Sequence, residues 1–262
     1  MEKVAAVVPC MNEVASIQAV IRSCLSGGCD VVVVVANGCT DGSGHLARQV
    51  SGRVQVIEFP EPLGLDVPRA AGAAIALREG ARAIVFVDGD MEGVAPEHIA
   101  TLVDNVRSGA GIALTDCFKG GLPGFGMAGE VTWARLELNR TLGLESRIGA
   151  AIPSHGPSCV SSEFLELSGL RPLCVPPVCL AVAARHGVAV VVGARVSHES
   201  LGSPYRRGEH GRKLAETIIG DCIEAECVYL GRPPGRVRDG RLFDGYHSSR
   251  RFDLLAAAGL LP

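Results

Sequence analysis

The sequence predicts an α/β protein with a mostly parallel central sheet and helices on both of its faces. Three observations lead there. Apolar runs rich in β-branched residues, such as Val31 to Ala36 and Ala83 to Val87, alternate with amphipathic stretches through the first 110 residues. Uninterrupted runs of this kind mark strands buried on both faces. The crossovers between them are short, which calls for parallel strands joined by right-handed connections. Hydrophobic residues make up 47% of the 262 and charged residues 20%. That is the balance of a folded chain long enough to bury a sizeable core.

Taken in order, Lys3 to Val8 is the first strand and ends in Pro9-Cys10-Met11-Asn12-Glu13. Val14 to Leu25 has the period of a helix, with Ile17, Val20, Ile21 and Leu25 on one face, and Gly27-Gly28 ends it. Val31 to Ala36 is the second strand. Asn37-Gly38-Cys39-Thr40-Asp41-Gly42-Ser43 is a turn cluster that caps a helix running to about Val50. Val54 to Phe59 is the third strand. Asp66 to Glu79 reads as a helix, and its small residues, Ala70 to Ala74, permit close packing on a sheet. Ala83 to Val87 then runs directly into Asp88-Gly89-Asp90. Pro96 opens a helix to about Val106. Residues 1–110 thus form a nucleotide-binding half.

The second half is less regular. Gly111 to Thr115 is a strand candidate. Lys119 to Gly129 carries five glycines and reads as a mobile loop, suited to act as a lid. Glu130 to Leu142 is helical, Ile152 to Val160 irregular, and Glu163 to Leu167 a short helix. Pro176 to His186 is a helix, and Val188 to Val192 a strand that stays extended through Ala194 to His198. Residues 206–262 form a helical extension: a long helix from Arg206 to Leu230, then a tail. The tail arginines (Arg232, Arg236, Arg238, Arg241, Arg250 and Arg251) read as a solvated basic surface.

The chemistry concentrates at Asp88-Gly89-Asp90. Side chains at i and i+2 of an extended segment point to the same side. Ligands of an open α/β sheet bind at the carboxyl ends of its strands, where this pair stands. Two carboxylates held together call for a positive partner. A divalent cation such as Mg²⁺ or Mn²⁺, carrying phosphates, is the partner that oxygen ligands favour. The plainer alternative makes Asp88 a helix cap and Asp90 a solvated loop residue.

Other totals narrow the classes. The net charge of -3 provides no general basic surface, so nucleic acid is not an expected partner. The longest apolar runs are far short of a membrane span. The chain enters a strand at its first residues, so no signal peptide is expected, and a cytoplasmic location follows. The ten cysteines form no C-x-x-C pair, which argues against zinc and for a reducing compartment.

Five pieces in order carry a resemblance: Val8-Pro9-Cys10-Met11-Asn12-Glu13, the Asn37 to Ser43 turn, Gly64 to Gly72 with Arg69, the Asp-Gly-Asp strand, and His198 after a late strand. Together they resemble family 2-type glycosyltransferases with the GT-A fold, a Rossmann-like arrangement, over about residues 3–200. The resemblance implies a GT-A domain over 1–205, with an acceptor half at 111–205. It implies transfer of a sugar from a UDP- or GDP-linked donor to an unknown acceptor, with Mn²⁺ or Mg²⁺ as cofactor, and it admits a homodimer. Residue by residue, it assigns the nucleoside to Pro9, Glu13 and Asn37, and the nucleotide to Arg69. Asp88, with Gly89 beside it, would meet ribose or sugar hydroxyls. Asp90 and His198 would bind the metal, through which Asp90 serves catalysis.

The sequence also departs from that pattern. Where inverting members carry an acidic pair that supplies the base, this chain has Pro176-Pro177-Val178-Cys179. Glu163 and Glu166 are the nearby substitutes, with Glu163 the catalytic candidate. Gly129-Glu130-Val131-Thr132 resembles the acceptor loop of retaining glucosyl-3-phosphoglycerate synthases, but those have Arg where Glu130 stands. A phosphate-bearing acceptor would then need Lys119 or Arg135. Two rival readings are a sugar-phosphate nucleotidyltransferase and a nucleotide-sugar binding protein that has lost catalysis. The first lacks support, because the loop after strand one has neither Gly nor Lys.

Overall fold

A computed structural model describes residues 2–202 and 208–260. The expected start of the last long helix at Arg206, and the boundary at 205/206, lie outside the described residues.

The first half alternates strand and helix. β1 (Val4–Cys10), α1 (Ile17–Ser26), β2 (Val31–Asn37), α2 (Ser43–Arg48) and β3 (Val54–Phe59) come first. α3 (Val67–Arg78), β4 (Ala83–Phe86) and α4 (Pro96–Arg107) follow. The second half holds β5 (Ile112–Asp116), α5 (Gly126–Thr141), α6 (Glu145–Ile148), β6 (Ser158–Ser161), α7 (Ser162–Ser168), α8 (Pro177–Arg185) and β7 (Val190–Arg195). A long helix, α9 (Gly208–Tyr229), leads into the short hairpin β8 (Val237–Arg238) and β9 (Arg241–Leu242), and then α10 (Phe252–Ala257).

Seven strands form one sheet in the order β3-β2-β1-β4-β6-β5-β7. Every pairing is parallel except those of β6, which runs antiparallel to both β4 and β5. The alternation of side chains divides the interior into two cores. Ala5, Val7, Val33 and Val35 face one, and Ala6, Val8, Val32 and Val34 face the other. β2 is buried along its whole length, as its run of five valines requires.

Three elements differ from the sequence reading. β6 lies within the stretch read as irregular. Its Ser-Cys-Val-Ser has no apolar run to announce it, yet all four residues are buried between two strands. The glycine loop is shorter than expected, because Gly126 to Gly129 belong to the first turn of α5. The tail is a solvated basic surface only in part: Arg232 and Arg241 are exposed, but other tail arginines turn inward. Arg236 and Arg250 are 6% and 5% exposed, and Leu255 and Leu260 join the core. An Asp239-Gly240 turn, both residues at positive φ, closes the β8–β9 hairpin. The backbone N–H of Arg251 then donates to Leu63 O at 2.8 Å, which straps the tail across the loop before α3.

α3 lies close against the sheet because its residues are small. A methyl group on Gly72 would overlap Val7 Cγ1 and crowd Val35. Gly to Ala in an open helix gains about 1 kcal/mol. Here the overlap reverses the sign: Gly72→Ala is expected to lower stability by about 1–3 kcal/mol, read as a fall in the urea midpoint. An unchanged or raised midpoint would show that α3 is not seated this closely.

Candidate active site

The carboxyl ends of β1, β2, β4, β5 and β7 converge on one edge of the sheet, and the candidate residues stand there. The loop after β4 lies directly on the end of β1. Gly89 N donates to Pro9 O at 2.9 Å, and a Cβ at Gly89 would come within 3.0 Å of that oxygen. The Ser16 hydroxyl donates to Gly89 O at 2.7 Å, and the Glu13 N–H donates to Ser43 Oγ at 2.8 Å. Glycine at position 89 thus eases a close approach, and Pro9, Glu13 and the Asp-Gly-Asp loop form one wall.

Asn37 ends β2 and is buried. Its Oδ1 accepts the Leu63 N–H at 2.6 Å, so its oxygen braces the loop before α3 and its amide Nδ2 is what remains to offer a ligand.

Arg69, 3% exposed on α3, lies between two carboxylates. Its Nη2 donates to Asp88 Oδ1 at 2.6 Å, and its Nε stands 3.3 Å from Asp66 Oδ1. Burial pushes the Asp88 carboxyl up, Arg69 pulls it back down, and the neighbouring Asp90 charge adds to the rise. Arg69 thus opposes the rise without cancelling it, and its bond to Oδ1 leaves Oδ2 turned to the site.

His198 opens a short 3₁₀ turn after β7, capped by Ser197. That turn is joined to the loop after Asp90: Gly93 N donates to Leu201 O at 3.0 Å, and a side chain at Gly93 would overlap Ser200 O. The close seating brings the Asp90 loop and the His198 turn together. Burial lowers the basicity of His198 most, while Glu199 and Asp90 oppose it.

The structure adds one residue that sequence reasoning missed. His155 Nε2 lies 3.3 Å from His198 Nδ1, and Arg135 Nη1 lies 2.9 Å from His155 Nδ1. A guanidinium can only donate, so His155 accepts at Nδ1 and its Nε2–H faces His198. Burial, then Arg135 and His198, holds His155 well below the usual histidine range. Its only sequence signal was the Ser-His-Gly-Pro turn ahead of β6, a strand too short to recognise. Arg135 is buried beneath this pair, whereas Lys119 and Glu130 are exposed.

Glu163 is not brought to this edge. Because β6 runs antiparallel, Ser161 pairs with Ala83 at the start of β4 and places Glu163 at the opposite end of the sheet, 3.8 Å from Arg82. The first turn of α8, where Pro177 stands, holds no acidic residue.

Among the described residues one group of three ligating side chains shares a space of 4.8 Å: Asp221, Glu224 and His247. Arg236 lies 2.6 Å from Asp221 and 3.0 Å from Glu224, and Arg250 lies 2.7 Å from Asp221. Cations of the chain itself already neutralise that group. Asp90 and His198 present a carboxylate and an imidazole from two neighbouring loops. That donor set suits Mn²⁺ or Mg²⁺ with phosphate oxygens as further ligands.

The model of glycosyl transferase family 2 matches residues 5–150, more than half of the chain, and the chain belongs to that family. Solved structures of similar fold include glucosyl-3-phosphoglycerate synthase from Mycobacterium tuberculosis with Mn²⁺, UDP and phosphoglyceric acid. It is 21% identical with a TM-score of 0.59, covering 88% of this chain and 80% of that one. The complex with UDP-glucose is 20% identical with a TM-score of 0.61, covering 88% and 81%. A further mycobacterial protein is 20% identical at 0.62, covering 94% and 82%. At these identities the likeness is one of fold, and it agrees with the mostly parallel sheet and GT-A arrangement. No curated protein sequence matches the chain.

The position of Glu163 generates a direct expectation. Glu163→Gln should change donor binding and turnover by less than about twofold, since surface substitutions away from a site are near neutral. A loss of a hundredfold in kcat would return Glu163 to the chemistry.

Proposed function

We propose that this chain is a metal-dependent glycosyltransferase that moves a hexose from a UDP-linked donor to a separate acceptor. The observation that carries the reading is the Asp88 and Asp90 pair on the carboxyl edge of β4, with His198 drawn beside it by the Gly93–Leu201 contact. The family match supports the reaction class. The neighbours' complexes with UDP-glucose and Mn²⁺ support the donor and the metal.

In this reading Pro9, Glu13 and the Asn37 amide line the nucleoside end. Asp88, fixed by Arg69, accepts hydrogen bonds from ribose or sugar hydroxyls. Asp90 and His198 would hold Mn²⁺ or Mg²⁺, which when bound supplies a Lewis acid for the charge that develops on the leaving diphosphate. The His155 Nε2–H takes up the His198 Nδ1 lone pair, so that hydrogen bond must be released for His198 to serve as a ligand. The acceptor enters from the side of β5, β7 and the Lys119 to Phe125 loop.

The test is calorimetric titration of UDP and GDP with Mn²⁺, Mg²⁺ or chelator, on the native chain and on Asp90→Ala. The expected result is UDP binding that metal strengthens about tenfold or more, with the metal effect lost in Asp90→Ala; ten-fold corresponds to about 1.4 kcal/mol. Binding that ignores both metal and Asp90 would overturn the proposal.

A further inference from the structure

We propose that Arg250, in the C-terminal strap, is a positioning residue of the donor site: it holds Asp66, which orients Arg69, which fixes the Asp88 carboxylate. The inference rests on the reading that Asp88 meets the donor, and it extends the site to a part of the chain about fifty residues beyond His198.

The contacts form one unbroken series. Asp88 Oδ1 meets Arg69 Nη2 at 2.6 Å, and Arg69 Nε meets Asp66 Oδ1 at 3.3 Å. Asp66 Oδ2 meets Arg250 Nη2 at 3.3 Å. The two oxygens of Asp66 are thus divided between the donor-site arginine and the tail arginine. Arg250 is in turn fixed by two bonds to Asp221, Nη1 to Oδ1 at 2.8 Å and Nη2 to Oδ2 at 2.7 Å. Its Nε donates to Leu65 O at 3.1 Å, and its Nη1 also lies 3.1 Å from His247 Nδ1. Every N–H direction of the guanidinium is thereby engaged, and the side chain is fully buried. A planar five-donor fork is the chemistry that can span two carboxylates and a carbonyl at once.

Asp66 is an unusual point for such a link. It stands at the N-terminal end of α3 with φ +63°, a left-handed conformation that costs a non-glycine residue energy. Its carboxylate makes no cap hydrogen bond to the helix. It is turned instead to the two guanidinium groups. The surrounding backbone is clamped to match. Asn37 Oδ1 holds Leu63 N from one side. From the other, Arg251 N donates to Leu63 O, and a Cβ on Gly64 would come 2.7 Å from Ser249 O. The strap therefore fixes both the backbone of residues 63–66 and the charge that aims Arg69.

A role in folding alone and a role in positioning make different predictions. Arg250→Lys keeps the charge but offers a single ammonium, which cannot reach both Asp221 and Asp66. In the full chain we expect it to raise the UDP-glucose dissociation constant, with Mn²⁺ present, about tenfold. Asp66→Asn, closer to the site, should do the same. In an Asp88→Asn background the further effect of Arg250→Lys should disappear, because the series then ends on no carboxylate. Crystal structures of Arg250→Lys and Asp66→Asn supply a readout independent of the donor: the Arg69–Asp88 contact should lengthen or break. The proposal is overturned if that contact persists in both variants. Equal losses in the native and Asp88→Asn backgrounds would overturn it too. If Asp88→Asn alone leaves UDP-glucose binding intact, the donor reading fails instead, and the Arg69–Asp88 contact in the variants still decides the positioning claim.

Discussion

The hydrogen-bonded ion pair between Arg69 and Asp88 is the contact on which the site depends. An aspartate at the end of a buried strand is costly to ionise, and burial pushes the Asp88 carboxyl up. Arg69 offsets part of that cost, but a buried guanidinium needs anions of its own. The fold answers with alternating charges: Asp88, Arg69, Asp66, Arg250, Asp221, Arg236 and Glu224, each within 3.3 Å of the next. Removing one member of such a buried series costs about 3–5 kcal/mol, because its partners are left uncompensated. That asymmetry ties α3, α9 and the tail to the end of β4 more firmly than the apolar contacts of a short tail would.

The sheet order determines which other groups can share the edge. Inserting β6 antiparallel between β4 and β5 brings the residues before it, including His155, to the edge where the parallel strands end. The same insertion carries the residues after it, including Glu163, to the far edge. One strand reversal thus supplies a partner for His198 and removes a nearby carboxylate. Meanwhile the cores on the two faces are closed by α3 with small side chains and by α1 and α4 with larger ones.

Much of this was legible in the chain. β2 and β4 announced themselves as apolar runs, and the Asp-Gly-Asp that follows β4 sits where such a run ends. The five pieces in order, from Pro9 to Glu13 through the paired aspartates to His198, together indicated the family. What was not legible depended on long-range pairing. β6 has four residues and no apolar pattern, so His155 had no visible neighbour. The tail arginines looked like a solvated surface, because the sequence does not reveal that Asp221 and Asp66, 29 and 184 residues away from Arg250, meet it inside the protein. Asp66 itself read as a helix start, whereas its carboxylate serves two guanidinium groups and not the helix.

The most direct measurement is a crystal structure of the chain with UDP-glucose and Mn²⁺. The account predicts a nucleotide laid along the carboxyl edge from Asn37 toward His198, with a hydroxyl on the Asp88 oxygen opposite Arg69 and the metal on Asp90. A nucleotide lodged instead in the cleft lined by Cys39, His45 and Glu58, with Asp88 and Asp90 untouched, would contradict it.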